Sequence, residues 1–386
     1  MSFKGLPPQK LRIAFFAPMK AIDHPEPSGD REIARGLFEY FQTVGAEVFV
    51  YSDFRLKEVW RKPLLAVRIL LSMPIIYFRL SLFKPNCFFT YHSYYKVPDV
   101  LGSVYSKLFS KPYFIFEGMY SERPKLDPRW KVGHALNLWA LRASSHVFTD
   151  KSDDLAGLQK IWPREIWSER FTLIPPSLSI KEFNVRRMDE GAARLRVICV
   201  AMLRPDRKTE GVLFLLQAVK SLFEQGMDFD LQIVGGGACL SQVRDQAMEI
   251  DHRIQVLGQK NKSEIAELLT AADVFAFPGI DEGFGLVYLE AQASGLPVVA
   301  FDNGGIADAV EKDQTGFLTP LRDLPAYQLA LKTLLENSGL RKEMGLKGRA
   351  RVEREFDRDQ NYGKIYEHLK AKSLAGNRSA SVDSDS

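Results

Sequence analysis

Residues 274–305 read VFAFPGIDEGFGLVYLEAQASGLPVVAFDNGG. Val274–Phe277 is a short apolar run ended by Pro278-Gly279, the pattern of a buried strand. A loop follows with Asp281, Glu282, Gly283, Phe284 and Gly285. Leu286–Ser294 then carries apolar residues at helical spacing, and Pro297–Ala300 is again strand-like. Strand, helix, strand within about thirty residues is a βαβ unit, which implies parallel strands and a right-handed crossover.

The same alternation extends both ways. Upstream in the second half, strands are expected at Leu195–Ala201, Phe229–Val234 and Ile254–Leu257. Helices are expected at Val212–Glu224, Ser263–Thr270 and Ala326–Asn337. The first half repeats the architecture. Strands are expected at Leu11–Ala17, Ala46–Tyr51, Cys87–Tyr91, Tyr113–Phe116, His146–Thr149 and Phe171–Ile174, with a helix at Glu32–Val44. This is an α/β chain of two Rossmann-like, doubly wound parallel sheets. The polar stretch 181–194 has no sustained apolar period and separates them. We expect a first domain over 1–183 and a second over 195–355. A final helix within 356–375 should pack back on the first domain, and 376–386 should be a disordered tail.

The chain has 386 residues, enough for two domains with full cores. Its net charge of +4 suits anionic ligands but is too small for a nucleic-acid partner. Three scattered cysteines, Cys87, Cys199 and Cys239, argue against a disulfide framework or zinc site and fit a cytoplasmic setting. No signal peptide is apparent. The apolar segment Pro63–Phe83 contains Arg68, Pro74 and Arg79, so it reads poorly as a spanning helix. It fills the slot of a packed helix between two strands. Its apolar face is therefore expected in the core, with only the Lys57–Lys62 end available for peripheral contact with an anionic membrane.

In open parallel sheets, ligands bind beyond the carboxyl ends of strands. Glu282 follows such an end, and glycines at a helix entry let backbone N–H groups approach a phosphate. Glu290, about one turn into the helix, suits ribose hydroxyls, and Glu282 suits those of a transferred sugar. Together they fit a nucleoside diphosphate sugar; the plain alternative is a cap and a surface residue. After the first strand of the second domain comes VAMLRPDRKTEG, in which Arg204, Arg207 and Lys208 can neutralise a departing diphosphate. Gly29, at the first helix of the first domain, either approaches a phosphate or follows a simple N-cap at Ser28; Asp30 is the other candidate cap. His92 follows the third strand. Glu117, after the fourth, either faces the acceptor or is a buried, partnered carboxylate. Gly235-Gly236-Gly237 fails the dinucleotide fingerprint, because Leu240 stands where a third glycine belongs; it reads as a tight turn, with Gly235 near the nucleotide.

Glu282 and Glu290, with seven residues between them and GFG after the first, resemble the E-x7-E signature of family 4 glycosyltransferases. ASGLPVVAFDNGGIADAV and QTGFLTP are similar to the same family's downstream pattern. The likeness is specific here and weaker over residues 11–370. It implies the GT-B fold, with two such domains facing across a cleft. It also implies a retaining, metal-independent hexosyltransferase that takes a nucleotide-sugar donor and a glycan or lipid-linked acceptor of the cell envelope. The nucleotide sugar is then a substrate, and no cofactor is expected. The resemblance puts Glu282 near the transferred sugar, Glu290 on the ribose and an Arg–Lys pair, here Arg204 and Lys208, on the diphosphate. The chain departs from the pattern at Met202, at the added Thr209-Glu210 and at Glu117, where the family has a histidine. Two rivals stand beside this reading: a nucleotide-sugar epimerase or hydrolase on the same fold and, motivated by the departures at Glu117 and in the basic pair, an inactive sugar-nucleotide-binding protein.

Overall fold

The computed structural model describes residues 10–23, 29–185 and 194–379. The chain divides into two compact units, residues 1–176 with 359–386, and residues 177–358. The division falls just upstream of the expected polar stretch. The reason is packing: Leu178, Ile180 and Phe183 are buried in the second unit's core.

The first unit holds six parallel strands: β1 (Arg12–Phe16), β2 (Glu47–Ser52), β3 (Cys87–Ser93), β4 (Tyr113–Gly118), β5 (His146–Thr149) and β6 (Phe171–Leu173). Their order is β2-β1-β3-β4-β5-β6. Strands β3 and β4 are buried at every residue, as a sheet covered on both faces requires. The last helix, Arg358–Ser379, seals one face with Tyr362, Ile365 and Leu369, which join Phe41 and Phe89 in one apolar cluster. Helix therefore continues past Lys372 into the segment expected as a tail; residues 380–386 lie outside the described residues.

The second unit has β7 (Leu195–Val200), β8 (Phe229–Val234), β9 (Ile254–Gly258), β10 (Val274–Ala276), β11 (Val298–Phe301) and β12 (Gly316–Thr319), in the order β12-β11-β10-β7-β8-β9. The order reverses between β7 and β10. That switch point opens a crevice at the carboxyl ends of these two strands.

One expectation fails. The Pro63–Phe83 helix does follow β2, but it buries only Ile69, Ile76 and Leu80. Leu64 is 87% exposed and Leu71 73%. The apolar residues run all the way round the helix, so packing one stripe on the sheet leaves the opposite face bare.

Candidate functional site

At the switch point of the second unit, the chain leaves β7 and enters the Arg207–Glu224 helix. Asp206 caps that helix, its carboxylate accepting from Lys208 N at 2.9 Å. The buried Thr209 hydroxyl donates to the Arg204 carbonyl and ties the loop to the first turn. The helix thus begins earlier than Val212, and Lys208 stands on its first turn. Lys208 Nζ reaches Glu282 in the loop after β10, 3.0 Å from Oε2 and 3.3 Å from Oε1. Arg207 pairs with Asp281 at 3.6 Å, and both are exposed. Arg204 is exposed in the same loop. The basic loop and the acidic loop therefore meet, from strands adjacent in the sheet and far apart in sequence.

The Glu282 loop is held from behind. Gly305 N donates to Glu282 O at 3.0 Å. A Cβ at Gly304 would fall 2.3 Å from Glu282 O, and one at Gly305 only 1.7 Å from Gly283 O, so Asn303-Gly304-Gly305 presses its backbone onto the loop. Gly283 itself faces open space. Gly285, at φ 74°, precedes the Leu286–Ala293 helix. Phe284 has its ring in the core, 5.9 Å from that of Phe356, so only its backbone can meet a ligand. Glu290 is half-buried on the helix. Gly235 is a tight turn against the loop after β7: its Cβ would lie 1.8 Å from Ala201 O.

The first unit gathers a second polar group. His92, in β3, and Glu117, in β4, both have positive φ, 69° and 55°. His92 Nδ1 lies 2.8 Å from Glu117 Oε2, and Tyr91 Oη donates to Oε1 at 3.1 Å. Glu117 is thus a buried, partnered carboxylate. Burial alone would raise its pKa; the hydrogen bond and charge of His92, with Lys151 and Tyr91, bring it below its ordinary value. Asp150, just beyond β5, was not anticipated, although the strand-end rule points to its position. Burial and then the Glu117 charge push its pKa up to about 8. Gly29 opens the Gly29–Thr43 helix with nothing near its missing Cβ. Ser28 lies outside the described residues. Among the described residues no three His, Cys, Asp or Glu side chains gather as a metal-holding group.

Comparison with known proteins follows the same line. Residues 194–337 match the profile of the family described as glycosyl transferases group 1. The chain is 32% identical over 203 residues to a GDP-mannose-dependent monoacylated alpha-(1-6)-phosphatidylinositol monomannoside mannosyltransferase of Corynebacterium glutamicum, covering 48% of this chain and 52% of that one. It is 30% identical over 248 residues to the phosphatidyl-myo-inositol mannosyltransferase of Mycobacterium leprae, covering 57% and 66%. The chain spans about half the length of the curated relatives it matches. Among solved structures, sucrose-phosphate synthase from Thermosynechococcus elongatus superposes with a TM-score of 0.68 at 19% identity, covering 94% of this chain and all of that one. HepE of Anabaena, solved with UDP, gives 0.67 at 17%, with the same coverage. These likenesses establish the fold of both units as that of GT-B glycosyltransferases. Over residues 194–337, the second unit is similar to the glycosyl transferases of group 1.

Proposed function

We propose that the chain is a retaining hexosyltransferase that moves a sugar from a nucleotide-sugar donor to a glycan or lipid-linked acceptor without a metal ion. The observation that carries this reading is the Lys208–Glu282 pair at the switch point, beside a helix start and a glycine loop. In the reaction, the bond from the sugar's anomeric carbon to the diphosphate oxygen breaks, a bond to the acceptor's hydroxyl oxygen forms on the same face, that hydroxyl's proton passes to the departing phosphate, and negative charge grows on that phosphate as it leaves. Lys208, with Arg204 and Arg207 nearby, supplies counter-charge where that happens. The backbone of Gly283–Gly285 and the helix start at Leu286 accept the phosphates. Glu290 receives the ribose hydroxyls and Glu282 those of the sugar, held by the cation it shares. Gly235 approaches the donor through its backbone. On the first unit, His92 faces the acceptor, and the buried carboxylate of Glu117 fixes the imidazole's orientation. The lipid named in the first relatives supports a lipid-linked acceptor. Work on such acceptors fits a cytoplasmic enzyme of cell-envelope polysaccharide synthesis.

The test is incubation of the full chain with UDP-, GDP- and ADP-sugars, with and without acceptors, in EDTA. Sugar transfer that needs acceptor and survives EDTA, with the anomeric configuration kept by NMR, supports the proposal. Acceptor-independent turnover indicates an epimerase or hydrolase. Thermal stabilisation by the nucleotide without turnover indicates a binding protein. Activity lost in EDTA and restored by Mg²⁺ or Mn²⁺ overturns the metal-free assignment.

A further inference from the structure

The Pro63–Phe83 helix has a face that its own unit leaves uncovered. Ile69, Ile76 and Leu80 point to the sheet. Leu64, Val67, Leu71, Ile75, Phe78 and Leu82 are exposed along the opposite side. At about 1.5 Å per residue the 21-residue helix is roughly 31 Å long, and the bare face runs its whole length. A folded protein in water rarely keeps so large a contiguous apolar strip without a partner.

The charge around it is one-sided. No Asp or Glu occurs from Val59 to Pro98, whereas Arg61, Lys62, Arg68, Arg79 and Lys84 fall in or beside the helix. All five are exposed. Arg68 and Arg79 lie over Phe54 and Phe49, at 5.8 and 4.9 Å, which holds their charges along one flank. The nearest acid in sequence, Glu58, is paired with Arg61 at 3.1 Å.

We propose that this face docks on an anionic lipid bilayer, with the helix lying in the plane of the interface. The strip enters the boundary between headgroups and acyl chains, and the basic rim meets lipid phosphates. By length and composition the helix could also cross a membrane. Its inner stripe, however, is part of the first unit's core, so spanning would tear it from the sheet. A second copy fits less well, because a two-fold contact on this face would bring like-charged basic rims together. The proposal stands on the helix alone and needs neither donor nor acceptor, so its failure leaves the transfer reading untouched.

The test is sedimentation of the full chain with vesicles of equal parts phosphatidylglycerol and phosphatidylcholine. Reversible, salt-sensitive binding is expected, and weaker binding to phosphatidylcholine alone. The double variant Leu71→Glu/Phe78→Glu should lower partitioning by at least about tenfold. Arg61→Glu/Lys62→Glu should do the same at low salt. Both pairs are at the surface, so circular dichroism and melting should be unchanged. As a second readout that keeps the face apolar, the indole introduced by Phe78→Trp should be quenched by brominated acyl chains. Three results overturn the proposal. One is wild-type protein that stays in the supernatant at low salt. Another is a Leu71→Glu/Phe78→Glu variant that binds as well as wild type, or a Phe78→Trp variant whose fluorescence is not quenched. The third is a wild-type dimer that Phe78→Glu splits and vesicles do not compete for, since a second copy then covers the face.

Discussion

Lys208 and Glu282 stand 74 positions apart in the chain, yet the ammonium lies 3.0 Å from the carboxylate. Strands β7 and β10 are neighbours in the sheet, and the loops beyond their carboxyl ends share one crevice. Removing the cation should cost transition-state stabilisation more than ground-state binding. Lys208→Met is expected to lower kcat about 10²–10³-fold, with a smaller change in KM. Lys208→Arg should recover part of the loss. Steady-state kinetics with the donor identified by screening would check this, and unchanged kcat in Lys208→Met would remove the residue from the leaving-group role.

Glu290 makes a separate prediction about binding alone. Its half-buried position makes its hydrogen bonds worth more than those of a solvated carboxylate. Glu290→Ala should weaken nucleoside diphosphate affinity by about 1.5–3 kcal/mol in calorimetry. Equal affinity in the variant and the wild type would show that the ribose does not lie there.

Gly283 and Gly305 offer a paired experiment, because they touch the same loop in opposite ways. A methyl at 305 would sit 1.7 Å from Gly283 O, so the loop must move. A methyl at 283 meets nothing within 4 Å, but it would stand where phosphate is proposed to approach. Gly305→Ala should lose both stability, by about 1–3 kcal/mol, and donor affinity. Gly283→Ala should keep its melting temperature and lose donor affinity only. If Gly283→Ala binds nucleotide normally, the backbone of this loop does not contact the phosphates.

Much of this arrangement is legible in the sequence, for identifiable reasons. Strands buried on both faces, such as Val298–Phe301, appear as unbroken apolar runs. The two glutamates at 282 and 290 declare themselves by spacing. What stays hidden depends on three-dimensional approach. The Ser338–Glu355 helix has no apolar stripe, because Arg341, Gly345 and Gly348 are among its buried residues. Gly345 is there because a Cβ would lie 2.0 Å from Gly295 O. The Pro63–Phe83 helix is apolar on every side, so periodicity could not say which side faced the sheet. Pairings such as His92 with Glu117 arise from sheet order, which local patterns do not encode.

Asp150 ties the first unit's polar group to pH. Its carboxyl is buried just beyond β5, one oxygen has no hydrogen-bond partner, and Lys151 lies 4.0 Å from the other. Burial, then the charge on Glu117, raises its pKa from an ordinary 3.8 to about 8. The folded state therefore holds this proton where the unfolded chain has released it. Its contribution to stability is complete below the ordinary value and is lost as pH rises through about 8. Glu117 acts in the opposite sense, because its pKa is lowered, and only in acid, below its ordinary 4.5. His146 also opposes Asp150: burial lowers its pKa from 6.5 to about 3, so it adds stability as pH rises over that range. The clean readout is thus the difference between wild type and Asp150→Asn, measured by calorimetry from about pH 5 to about pH 8.5. The variant should gain on wild type steadily across this window and be the more stable protein at its alkaline end. Parallel curves would mean that Asp150 is already ionised in the folded protein, and that the polar group around Glu117 is wetter than its burial implies.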